Sequence, residues 1–94
     1  MAFNELQGQV REYDRLFGWT RDKPEHTLLH MQEEVGEISR HMLRMLNYKE
    51  GKFDRGKIND EITDLLYLTL KLGNLLDLNL DDGWGRIKER YKRK

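Results

Sequence analysis

Five carboxylates stand out by type and spacing. Glu33, Glu34 and Glu37 crowd the run Glu33-Glu34-Val35-Gly36-Glu37, and Glu61-Ile62-Thr63-Asp64 sets two more acids three residues apart. Helix positions three apart carry neighbouring side chains, so Glu34 with Glu37 and Glu61 with Asp64 each offer a two-carboxylate pincer. On a helical wheel begun at His26, Glu34 falls at about 80°, Glu37 at about 20° and Glu33 at about 340°, beside an apolar stripe at about 100° to 200°. On a wheel begun at Ile58, Glu61 falls at about 300°, between Leu68 and Leu72, and Asp64 at about 240°, beside Leu75. An unpaired carboxylate on an apolar face is costly, so a neutralising partner is expected there. If the two segments form an antiparallel hairpin, their acids come level when the turn centres near residue 49, and the polar stretch from 47 to 56 spans that point. Such a convergence is an oxygen-only site, suited to Mg²⁺ or Mn²⁺ rather than zinc, and without a cation mutual repulsion raises some of the pKa values.

The elements that must position these acids are helical. Apolar residues recur at three- and four-residue spacing, no stretch alternates with period two, and the one Pro is Pro24. Phe3, Leu6, Val10, Tyr13 and Phe17 define a first helix over 3–17 that Gly18 stops. Asp22, with Pro24 and Glu25 behind it, reads as the cap of a second helix over 22–46, whose apolar side is Leu28, Met31, Val35, Ile38, Met42 and Met45. A polar loop with two glycines follows, and Asp54 is placed to cap a third helix over 57–76. That third helix is apolar over most of its circumference and should be central. A short basic helix over 82–94 carries Trp84, Ile87 and Tyr91 on one side. The expected fold class is all-α: a single domain over 1–94 with an N-terminal segment at 1–18, an antiparallel helical hairpin (22–46 and 57–76) and the C-terminal helix, about four helices in all. Helix 3 carries more leucines than two neighbours can cover, which predicts a homodimer or homotetramer with a four-helix-bundle core.

Composition excludes several classes of function. In 94 residues, 17 Lys and Arg balance 17 Asp and Glu, so no global field favours nucleic acid or an anionic membrane. There is no Cys, hence no disulfide, thiol nucleophile or Cys-ligated metal. No apolar run approaches the ~20 residues of a membrane span, and the first residues lack the features of a signal peptide. A cytoplasmic protein is expected, with no membrane partner. His26, His30 and His41 lie on the carboxylate side of helix 2 and read as partly exposed structural histidines, although each could touch a base or a phosphate. No Glu-x-x-His pair supports a di-iron bundle.

The two acidic runs resemble the EExxE…ExxD signature of the MazG-like, all-α nucleotide pyrophosphohydrolases. Glu-Val-Gly-Glu, the 23 residues between Glu37 and Glu61, and Asp64-Leu65-Leu66-Tyr67-Leu68 all fit that pattern, over about residues 19–91. The resemblance implies that Glu34, Glu37, Glu61 and Asp64 bind Mg²⁺, and that Glu33 is the catalytic base, a further ligand or an outer-shell group. It implies hydrolysis of a nucleoside triphosphate between its α and β phosphates, in nucleotide-pool house-cleaning. Trp19 is the candidate to stack on the base, with packing the equal alternative; Trp84 is expected to pack. The chain departs from the family's Lys-x-x-Asn-x-x-Arg run: aligning Arg90 to its end places Trp84 and Ile87 at the Lys and Asn positions. Lys88, Arg86 or Lys57 could stand in for the missing Lys and Asn, with no motif to choose among them, and Lys88 and Arg90 are carried with Trp19 and His30 as candidate substrate-binding residues. Two other classes fit the same chain. One is a catalytically silent helical oligomerisation or regulatory module; the other is a nucleic-acid-binding protein using the basic run from Arg86 to Lys94.

Overall fold

The computed structural model describes residues 2–48 and 50–92. Met1, Lys49 of the expected loop, and Arg93 and Lys94 of the expected C-terminal helix lie outside the described residues. The chain is all-helical, with α1 (Phe3–Phe17), α2 (Pro24–Met45), α3 (Arg55–Leu75) and α4 (Leu80–Tyr91), and no strand occurs among the described residues.

Each helix end has a local cause. Gly18 closes α1 in the left-handed conformation (φ 76°), and the Trp19 amide donates to the Asp14 carbonyl at 2.7 Å. The Asp54 side chain caps α3, accepting from the amides of Gly56 and Lys57 at 2.9 and 3.2 Å. Asn79 caps α4 in the same way through the Asp81 amide, which starts that helix two residues before the Asp82 position read from the sequence. The cap expected at Asp22 is not formed. Lys23 occupies the N-cap of α2 and makes no side-chain cap bond, because Asp22 is engaged by Lys71 of α3. The first turn of α1 is completed from far along the chain: both oxygens of Asp81 accept from the Phe3 and Asn4 amides, at 2.7 and 3.1 Å.

Helix α3 is central, packing against both α1 and α2, while α4 folds back onto α1. A buried amide joins these layers. Gln7 of α1 donates to the Leu78 carbonyl at 2.8 Å and accepts from the Leu80 amide at 3.1 Å, so its one side chain fixes the α3–α4 turn. Asn74 returns a bond to the Gln7 carbonyl at 2.9 Å. Among the described residues the buried hydrophobics are only Val10, Leu68 and Leu70.

The apolar side of α2 is left largely open. Leu28, Val35 and Met42, spaced by sevens, are each at least one-third exposed, and Ile62 and Leu66 of α3 are exposed as well. The side of α2 that is buried carries Thr27 and His41 instead. The accessible surface is 7584 Å², against about 5,800 Å² for a folded monomer of this mass. The radius of gyration is 15.9 Å, against about 12 Å for a compact chain of this length.

Candidate metal centre

The α2–α3 pairing brings three of the five acids together. Ligand oxygens of Glu34, Glu61 and Asp64 all lie within 4.8 Å of one another. Glu34 and Glu61 are half-buried and Asp64 is exposed, so one side of the group remains open to a substrate. The Oε2 atom of Glu34 is buried with no hydrogen-bond partner among the described residues. Its carboxyl is pushed above the ordinary carboxylate range, first by a hydrogen bond with Glu61, then by burial. Repulsion from Glu61 and Asp64 adds to the shift, and His30 opposes it. His30 Nε2 lies 3.4 Å from Glu34 Oε1. A half-buried, oxygen-only trio with an unpartnered carboxylate oxygen fits a hard divalent cation.

Glu37 and Glu33 stand apart from this trio. Glu37 sits about 60° further round α2 than Glu34 on the helical wheel, and its carboxylate lies 3.7 Å from Arg40. Glu33 is exposed, about 100° from Glu34 on the other side of Glu37's position. Of the acids read in the sequence, Glu34, Glu61 and Asp64 are therefore the ones the fold brings within 4.8 Å of one another.

A cavity of about 510 Å³ opens beside the acids, lined by His30, Glu34 and Asp64 together with Trp19, Asp22 and Lys71, and completed by Tyr67 and Leu68. Trp19 stacks on Phe17, with centroids 5.1 Å apart, and remains half-exposed. Sequence reasoning missed the polar members at its far end. Lys71 is buried, its Nζ 2.5 Å from Asp22 and 3.7 Å from Asp14. The Tyr67 hydroxyl donates to Asp14 at 2.9 Å, and burial followed by the bond to Asp14 raises the phenol above its usual range. A signal did exist: Lys71 is a lone cation among leucines, seven residues and so two turns after Asp64.

Lys88 and Arg90 do not reach this cavity. Helix α4 turns back across α1, so Arg90 lines a separate apolar groove of about 920 Å³ with Phe3, Leu66, Leu70, Trp84 and Ile87, and Lys88 lines neither space. Trp84 packs edge-on against Phe3, with centroids 5.7 Å apart. His41, read as partly exposed, is in fact buried with its Nδ1 unpartnered among the described residues, because the acid-bearing side of α2 faces α3.

No family model matches the chain. The uncharacterized protein YpjD of Bacillus subtilis (strain 168) is 25% identical over 92 residues, covering 96% of this chain and 83% of that protein. The crystal structure of YPJD from Bacillus subtilis, provisionally assigned as a pyrophosphatase, aligns with a TM-score of 0.83 at 25% identity, covering 97% of this chain and 95% of that one. The chain thus shares its four-helix fold, over nearly its whole length, with a provisionally assigned pyrophosphatase. None of the described helices is long and apolar enough to cross a membrane.

Proposed function

We propose that this protein is a MazG-like nucleoside triphosphate pyrophosphohydrolase, cytoplasmic and dependent on Mg²⁺ or Mn²⁺, that cleaves the α–β phosphoanhydride to a monophosphate and pyrophosphate. The observation that carries the reading is the convergence of Glu34, Glu61 and Asp64 from two helices onto one point beside a cavity. The similarity to the Bacillus subtilis structure provisionally assigned as a pyrophosphatase supports the same class of reaction. Divalent ions bound there would neutralise phosphate oxygens and activate a water for in-line attack. The chain's own part is to hold and orient. Glu34, Glu61 and Asp64 supply the oxygens, His30 steadies the Glu34 carboxylate, and Glu37 is the fourth ligand once its side chain leaves Arg40. Glu33, on the adjacent exposed face, keeps the role of base or outer-shell group. Trp19, half-exposed in the lining of the same cavity, is the aromatic contact for the base.

A homodimer or homotetramer belongs to this reading. The surface in excess of a compact monomer is about 1,800 Å² per chain, or ~3,600 Å² for a pair, within the ~2,000–5,000 Å² range of obligate homodimers. Two α2–α3 hairpins joined through the Leu28–Val35–Met42 stripe and the exposed side of α3 would make a four-helix core. Lys88 and Arg90 would then contact substrate only from a neighbouring copy.

The test is pyrophosphate release from a panel of nucleoside triphosphates with Mg²⁺, beside Glu61→Gln and Asp64→Asn, with Mn²⁺ binding followed by electron paramagnetic resonance. Release and Mn²⁺ binding lost together in both folded variants would support the proposal; absence of both in the wild type would refute it. A second reading, a catalytically silent helical module, draws on Trp84 and Ile87, which occupy the expected phosphate-contact positions and instead border the apolar groove. Mn²⁺ binding without hydrolysis of any triphosphate would favour it.

A further inference from the structure

The metal reading leaves one end of the cavity without a task. There a single buried cation serves two carboxylates that differ in freedom. Asp14 is 9% exposed and held by the Tyr67 hydroxyl, whereas the Asp22 side chain is 49% exposed and carried on the α1–α2 linker. Lys71 lies against both, with its Nζ also 5.6 Å from the centroid of the Trp19 ring. Asp22 therefore presents a carboxylate with an open face, pinned at one oxygen, next to an aromatic surface. All three residues line the cavity that also holds Glu34 and Asp64.

Position along α3 says which part of a ligand meets this end. Two helical turns separate Asp64 from Lys71, about 10.5 Å along one face. A nucleotide gripped by its α–β bridge at the acids carries the far edge of its base to about that distance, whereas the β and γ phosphates end sooner. Trp19, already stacked on Phe17 and with Lys71 over its ring, walls the same end of the cavity, so such a base would meet its exposed side there.

We propose that Asp22, pinned by Lys71 and flanked by Trp19, reads the base of the nucleotide and selects a guanine-type edge. A carboxylate is an acceptor only, with about four lone-pair directions, of which Lys71 takes one. Guanine matches it with two adjacent parallel donors, N1–H and the 2-amino group. Adenine and cytosine set a ring-nitrogen lone pair beside their amino group, which repels the carboxylate. Hypoxanthine keeps the ring N–H and lacks the second donor. Lys71 is the positioning residue, since it fixes the carboxylate without needing to touch the base.

This inference rests on the pyrophosphohydrolase reading, so the test separates the two. Pyrophosphate release from GTP, ITP and ATP is measured for the wild type and for Asp22→Asn, a substitution at a half-exposed position. Binding of GMP and IMP is followed by tryptophan fluorescence. The wild type is expected to prefer GTP to ITP by about tenfold or more in kcat/KM, because a site built for a donor rejects the analogue that lacks it. Asp22→Asn should bring that ratio near unity, mainly through KM, with GMP binding weakened to the level of IMP. Hydrolysis without guanine preference, or a preference that survives Asp22→Asn, overturns the inference and leaves the pyrophosphohydrolase reading standing. If no triphosphate is hydrolysed, that reading fails, and the binding measurement still decides here: equal affinity for GMP and IMP overturns the base reader, and tighter GMP binding that Asp22→Asn abolishes supports it.

Discussion

Replacing Glu34 by Gln should stabilise the metal-free protein, although the residue is half-buried and belongs to the proposed active site. Its ligand oxygen lies within 4.8 Å of those of Glu61 and Asp64. At that separation two like charges repel by ~3.5 kcal/mol at an effective dielectric of about 20, and by ~0.9 kcal/mol in bulk water. Asp64 is exposed and Glu34 and Glu61 are only half-buried, so the lower part of that range applies, about 1 to 2 kcal/mol. Loss of the half-exposed His30 pair takes back less than about 1 kcal/mol. A gain of this size raises the melting temperature of a chain this short by roughly 4 to 8 °C per kcal/mol. The assay is thermal unfolding by circular dichroism in EDTA, well above the carboxylate titration range, repeated with excess Mg²⁺. A cation at a hundredfold excess over its Kd adds about 2.7 kcal/mol to a protein that binds it, so the wild type should overtake the variant when Mg²⁺ is supplied. A lower melting temperature for Glu34→Gln in EDTA would refute the reasoning, since it would mean that the carboxylate is already satisfied within the chain.

The same repulsion gives a pH dependence of definite sign. Glu34 is raised above its ordinary value of 4.5, so the folded state holds the proton more tightly than the unfolded chain. That contribution is fully present below 4.5 and is lost as pH rises through the raised folded value. Denaturant midpoints in EDTA should therefore fall over that interval in the wild type and stay flatter in Glu34→Gln; an equal slope in both proteins counts against the upward shift of Glu34. Lys71→Met should cost about 3 to 5 kcal/mol in guanidinium unfolding, because Asp14 would be left buried with only Tyr67 beside it; a cost below about 1 kcal/mol would place Lys71 as a surface residue in solution. Light scattering should return the mass of a dimer or a larger assembly, and Val35→Glu, on the open stripe of α2, should shift it toward the monomer; a monomeric wild type contradicts the four-helix core.

Much of the helical order was readable because period and punctuation are local. Gly18 and Asp54 act through bonds to residues within four positions, so their effect follows from the sequence beside them. The proximity of Glu34 to Glu61 and Asp64 was also foreshadowed, since a hairpin with its turn near residue 49 leaves little freedom of register. Asp22 shows where such inference stops. Its position before Pro24 favours a cap, yet a buried Lys71 49 residues away claims the carboxylate, and an ion pair with a desolvated cation outweighs an exposed cap bond.

The sequence by itself determined four helices, their approximate ends, and two acidic pincers on faces where acids are costly, because backbone hydrogen bonding and hydrophobic periodicity act over a few residues. Only the tertiary structure decided which acids meet. The rotation of α2 against α3 drew in Glu34 and left Glu33 and Glu37 outside, a choice set by about 60° to 100° of helix face. It also carried Lys88 and Arg90 away on α4, brought Asp81 to the start of α1, and assembled Lys71, Asp14, Asp22 and Tyr67 at the far end of the cavity. Those contacts join residues 49 to 78 positions apart, and long-range side-chain chemistry of that kind leaves no periodic trace in a single chain.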